Sequence, residues 1–144
     1  MNYRVLGKSG FKVSEVSLGT WQLGGKWGTP FSQKDADDTL AEAYAQGVNF
    51  LDTADGYQDG NSERTVGTFV RAHPDVHFTT KIGRKESPLT VDHFDNAHLD
   101  RYVDESLKNM KLDALDMVLL HCPPMETYYR PEMFWHLDQL KKGW

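Results

Sequence analysis

The chain has 144 residues, a formal net charge of −5 and 39% hydrophobic residues, which suits one domain that buries roughly 70% of its unfolded surface. Its mild acidity argues against nucleic acid or an anionic membrane as partner, since both call for a basic patch, and its apolar runs fall far short of the roughly 20 residues of a membrane helix. The single cysteine, Cys122, leaves no disulfide framework, and Met1–Arg4 lacks the apolar stretch of a signal peptide, so a reducing cytoplasm is the default expectation.

In chain order, Tyr3–Leu6 and Lys12–Val13 flank Gly7-Lys8-Ser9-Gly10 and read as a short hairpin. A strand follows at Val16–Leu18. Ser32 starts the first helix, with Asp35 as its capping-box partner. That helix carries Leu40, Ala43 and Tyr44 at helical spacing and ends near Gln46-Gly47, glycine being favoured just past a helix. Asn49–Leu51 is a short strand, Ser62–Val70 a helix with Val66, Phe69 and Val70 on one face, and Val76–Ile82 a strand rich in β-branched residues. Leu99, Val103, Leu107 and Met110 step along a third helix. Leu115–Leu120 is almost continuously apolar, the pattern of a strand covered on both faces in a parallel sheet. Pro131 suits the first turn of a fourth helix, with Phe134, Leu137 and Leu140 inward and Gly143 after it. Met110, Met117 and Met133 fall at core spacings, and Cys122 reads as a small buried apolar group.

The pattern is therefore four β-strand/α-helix units behind a hairpin. The connections Gly24–Phe31 and Arg84–Asp95 are long enough to suggest function. Four such units are half of a parallel (β/α)8 barrel, which typically needs about 250 residues. A doubly wound sheet competes, but it calls for a G-x-G-x-x-G turn after an early strand, which Leu18-Gly19-Thr20-Trp21 and Leu23-Gly24-Gly25 do not form.

In a parallel barrel the chemistry sits at the C-terminal ends of the strands. The first strand ends in Gly19-Thr20-Trp21, the second in Asp52, the third in Lys81 and the fourth in His121. An acid and a lysine on neighbouring strands can neutralise each other, which offsets the cost of burying either alone. Each residue taken singly has an ordinary reading: Tyr57 as a surface ring, Lys81 as a solvated strand end, Asp52 as a loop acceptor, His121 as a histidine near the core. A metal held by Asp52, Asp55 and His121 is argued against by Lys81, so no metal is expected.

The stretch Asp52-Thr53-Ala54, Tyr57 and Ser62-Glu63, with Lys81 ending strand three and His121 ending strand four, resembles the aldo-keto reductase family. Leu6-Gly7-Lys8-Ser9-Gly10 with Val13-Ser14 is similar to that family's N-terminal hairpin, and Leu18-Gly19-Thr20-Trp21 to its first strand end. Each motif is weak, but all of them in order across essentially the whole chain are highly specific. The resemblance implies the N-terminal half of a barrel over residues 1–144, with the remaining four units absent. It implies carbonyl reduction with NADPH, NADH being the alternative. Tyr57 would be the general acid. Tyrosine's ordinary pKa near 10 calls for a cation to stabilise the phenolate; Lys81 would supply it, Asp52 would hold Lys81, and His121 would orient and polarise the carbonyl oxygen. Gly19, Thr20, Trp21 and Asp52 would lie against the nicotinamide or the substrate mouth. Gln58 stands where many members have glycine, a departure that touches loop shape. Because the family's missing units carry most of the cofactor contacts, the alternative is an inactive half-barrel that self-associates or pairs with a C-terminal half.

Overall fold

The computed structural model describes residues 1–26 and 28–143. Strands β1 (Tyr3–Val5) and β2 (Lys12–Ser14) form the antiparallel hairpin. They are followed by β3 (Leu18–Gly19), helix α1 (Gln33–Ala45), β4 (Phe50–Asp52), α2 (Asn61–Ala72), β5 (His77–Ile82), α3 (Asn96–Met110), β6 (Val118–Leu120) and α4 (Pro131–Gly143). The four later strands form one parallel sheet in the order β3-β4-β5-β6, part of a (β/α)8 barrel. No helix among the described residues is long and apolar enough to cross a membrane.

Alternation along the strands separates two faces. Leu51, Phe78 and Ile82 are buried towards the helices. Leu51 and Phe78 join Leu40, Val66, Val70 and Met110 in one cluster, and Ile82 joins Phe94, Leu99, Val103 and Met133 in a second. The opposite face carries Gly19, Asp52, Thr79, Lys81 and Leu119, in register across the sheet. The hairpin docks at the N-terminal end of that sheet: Ser14 N–H donates to Asn49 Oδ1 at 2.7 Å, and Phe11 stacks on His77 with ring centroids 4.1 Å apart.

Several expectations move. The first sheet strand lies at Leu18–Gly19 rather than Val16–Leu18, and Val16 is exposed. Ser32 does cap α1, its Oγ accepting from Asp35 N–H at 3.3 Å. The capping box is not closed, because Ser32 N–H is taken by Gly24 O instead of the Asp35 side chain. Removing the hydroxyl in Ser32→Ala is expected to cost about 1 kcal/mol, read as a lowered urea midpoint. Strand β6 is shorter than the apolar run, and Leu119 is 42% exposed, because no strand among the described residues pairs with the far side of β6. In α4 it is Met133, at 1% exposure, that fills the core with Leu137 and Leu140, while Phe134 is turned outward; Gly143 belongs to the helix. Cys122 is exposed, not buried. Of the connection 24–31, Trp27 lies outside the described residues, as does Trp144.

Candidate active site

The parallel register carries three ionisable strand-end residues to one edge. Asp52 ends β4, and Lys81 lies next to last in β5. His121 follows β6, and its backbone N–H continues the ladder to Ile82 O at 2.9 Å. The segment after β4 returns over β5 and brings Tyr57 to them. Lys81 Nζ donates to Asp52 Oδ1, to Thr53 O at 3.1 Å and to Tyr57 Oη at 3.1 Å. The Tyr57 ring stands edge-on to His121, with centroids 5.8 Å apart at 84°. All four residues expected to form the site are thus in one place.

The electrostatics follow from this packing. Burial pulls Lys81 down, but the hydrogen bonds and charge of Asp52 and the hydrogen bond to Tyr57 outweigh it, so its pKa is raised and it remains an ammonium. Burial lowers the pKa of His121, and the charges of Lys81 and Arg84 push the same way. His121 is therefore neutral at neutral pH, able to keep one N–H for donation. The sign of the linkage is fixed: a folded pKa below the ordinary 6.5 means the unfolded chain binds the proton first, so stability falls as pH drops below about 6.5. Imidazole NMR should give a His121 midpoint below that value, rising in Lys81→Met as the nearby cation is removed.

A hydroxyl network behind Asp52 holds the site in place. Thr20 Oγ1 donates to Asp52 O at 2.9 Å. Ser62 Oγ donates to Thr20 Oγ1 at 2.7 Å and lies 3.0 Å from Thr53 Oγ1; Thr20, Thr53 and Ser62 are all fully buried. Thr20, expected near the nicotinamide, thus has its hydroxyl engaged inside the protein. Trp21 is 53% exposed at the rim, and its carbonyl accepts from Gln58 Nε2 at 3.3 Å. Gln58 and Asp59 both adopt left-handed backbone, φ 51° and 53°, the conformation for which glycine is suited. Above Gly19 there is open space: an added Cβ would meet nothing within 4 Å.

Glu63, Asp55 and Ser62, to which the sequence pattern assigns no structural role, are all buried around the site. Glu63 is fully buried; its carboxylate accepts from Thr80 Oγ1 at 2.7 Å and Asn109 Nδ2 at 2.8 Å, joining α2 to β5 and α3. The signal was present in the Ser62-Glu63 pair, an acid at a helix start with apolar residues after it. No group of three or more His, Cys, Asp or Glu able to hold a metal occurs among the described residues.

The family described as "Aldo/keto reductase family" matches residues 15–143. L-galactose dehydrogenase of Arabidopsis thaliana is 35% identical over 141 residues, covering 95% of this chain and 40% of that protein. The structure of an aldo-keto reductase from Bacillus halodurans in its holo form superposes with a TM-score of 0.82 at 28% identity, covering 99% of this chain and 47% of that one. An aldo-keto reductase from Klebsiella pneumoniae in complex with NADPH gives a TM-score of 0.73 at 25% identity, covering 97% and 46%. The chain spans about two-fifths of the length of the curated relatives it matches.

Proposed function

From the premise that this chain belongs to the aldo/keto reductase family, we propose that it serves in the NADPH-dependent reduction of an aldehyde or ketone to an alcohol, with Tyr57 as proton donor. The observation that carries this reading is the direction of one hydrogen bond: Lys81 Nζ donates to Tyr57 Oη at 3.1 Å. The phenol oxygen is thereby an acceptor, and its own proton is left to be given away. Bound NADPH, or NADH in its place, supplies the hydride. As the carbonyl carbon becomes tetrahedral, Tyr57 gives its proton to the oxygen and becomes a phenolate. The Lys81 ammonium beside it stabilises that charge. Asp52 keeps Lys81 aimed, and neutral His121 donates to the carbonyl oxygen and orients it.

The open floor over Gly19, next to Asp52 in the register, fits a flat ring such as nicotinamide. Trp21 would flank it, while Thr20, its hydroxyl and backbone engaged with Asp52, Leu23 and Ser62, would support the strand end that forms it. The substrate would be a small carbonyl compound admitted between Trp21 and the segment after His121.

The test is to add NADPH and 4-nitrobenzaldehyde to the purified chain and follow the cofactor absorbance, together with tryptophan fluorescence. Turnover supports the reading. Absence of fluorescence quenching up to millimolar NADPH would overturn independent activity, because binding precedes transfer. A second reading, a half-barrel that self-associates without turnover, is favoured by exposed Leu119 and the open side of β6. Light scattering decides it: a monomer of 16.4 kDa at high concentration removes that reading.

A further inference from the structure

We propose that Asp55 is a positioning residue for the Tyr57–Lys81 pair: its side-chain carboxylate takes the place of a strand carbonyl and fixes the loop that carries Tyr57 to the end of β5. The proposal rests on the reading of Tyr57 and Lys81 as the reacting pair.

Pairing between β4 and β5 does not stop at Asp52. Thr53 N–H donates to Thr79 O at 2.9 Å and Asp55 N–H to Lys81 O at 3.0 Å, the even slanted spacing of a parallel ladder. The next rung of such a ladder would run from Gly83 N–H to the backbone carbonyl of Asp55. The hydrogen bond found instead ends on Asp55 Oδ2, at 3.2 Å. The substitution lets the backbone turn away one residue early. Tyr57 N–H closes that turn on Ala54 O at 3.2 Å, and the phenol arrives at Lys81.

Gly83 has no freedom to look elsewhere. It is buried with φ +98°, and a Cβ there would lie 2.6 Å from the Phe94 ring. Asp55 is itself only 1% exposed, a costly place for a carboxylate. Burial raises its pKa, while the Gly83 N–H and the Lys85 charge oppose that rise. Asp55 touches none of the reacting groups; it acts on them through the backbone at Lys81 and the turn before Tyr57. Loss of the acceptor would free the loop and leave a buried N–H without a partner, whereas asparagine keeps a carbonyl oxygen in the same position.

The experiment uses isotope-labelled full chain. A through-hydrogen-bond coupling between the Gly83 amide nitrogen and the Asp55 side-chain carbon is expected, with slow exchange of the Gly83 amide. Its absence, with exchange as fast as at exposed Lys85, overturns the proposal without any variant. Next, the Lys81–Tyr57 contact and the titration of Lys81 are compared in the wild-type chain, Asp55→Asn and Asp55→Ala. Asp55→Asn should match wild type. Asp55→Ala should lose the contact, and the Lys81 midpoint should fall as Tyr57's hydrogen bond is lost. Where turnover is measured, kcat should fall on the order of a hundredfold in Asp55→Ala, the effect of about 1 Å of misplacement, with KM for cofactor unchanged and with rescue in Asp55→Asn. A folded Asp55→Ala with the Lys81–Tyr57 contact intact refutes the assignment, and if that variant does not fold the wild-type coupling decides. Failure of the functional reading is seen separately, as turnover that survives Tyr57→Phe while the Gly83–Asp55 coupling stands.

Discussion

Tyr57→Phe is expected to lower carbonyl reduction by about 10²- to 10⁴-fold, the usual contribution of a positioned general acid, with little loss of fold. Only the hydroxyl leaves. The ring that stands edge-on to His121 at 5.8 Å and 4.9 Å from Lys81 Nζ remains. Lys81 still donates to Asp52 and to Thr53 O, so the ammonium stays in place. Its pKa should drop somewhat, because Tyr57's hydrogen bond is one of the effects that raise it. Tyr57 is half-buried, and a net hydrogen bond is worth about 1 kcal/mol, so the melting temperature should move by a few degrees at most. Steady-state turnover and a thermal melt on the same sample separate the two effects. Turnover within a few-fold of wild type would remove Tyr57 from the proton donor's role and leave His121 as the next group to test.

Gly67→Ala is expected to be the most damaging small substitution for stability. An added Cβ would lie 2.4 Å from both the Cα and the carbonyl oxygen of Met110 and 2.7 Å from its carbonyl carbon. These are backbone atoms, so no rotamer change can relieve the clash and α2 and α3 must separate. Separation withdraws Met110, fully buried, from the core and strains the Arg71 hydrogen bond to Met110 O. It also pulls Asn109 from Glu63, which in turn holds Thr80 beside Lys81. Alanine's better helix propensity returns about 1 kcal/mol, but overpacking typically costs about 1–3 kcal/mol and here meets backbone on both sides of the carbonyl. With the cost at the upper end of that range, because backbone cannot yield, the net effect should be a loss of about 2 kcal/mol, read as a lowered urea midpoint at unchanged slope. An unchanged midpoint would mean that the two helices do not approach this closely in solution.

Element order, the placement of Asp52, Lys81 and His121 at strand ends and the family were all legible from residue types. Alternation of short apolar runs with helical periodicity has few solutions, and Asp52, Lys81 and His121 each follow a strand, where a parallel sheet must expose them at one edge. What periodicity could not resolve was which of two neighbouring residues faces inward. Met133 and Phe134 both fit a helix spacing with Leu137, and only contact with α3 and the second cluster turns Met133 in. The same holds for Leu119: an apolar run reads as covered on both faces, but cover is supplied by neighbouring elements and not by the run itself. Cys122, a small apolar group by residue type, is exposed for a related reason. It directly follows His121 at the end of the β6 ladder, and its left-handed φ of 54° turns the chain to the surface.

Thus the amino-acid sequence by itself determined that Asp52, Lys81 and His121 stand at successive strand ends, because local periodicity and strand-end position are properties of the chain. The tertiary structure alone decided how those groups are held. The donation from Lys81 to Tyr57, the hydroxyl network of Thr20, Thr53 and Ser62, and the carboxylate of Asp55 under Gly83 all join residues 24 or more positions apart or buried on different elements. Such contacts depend on how strands pair and helices pack, and no local pattern encodes them.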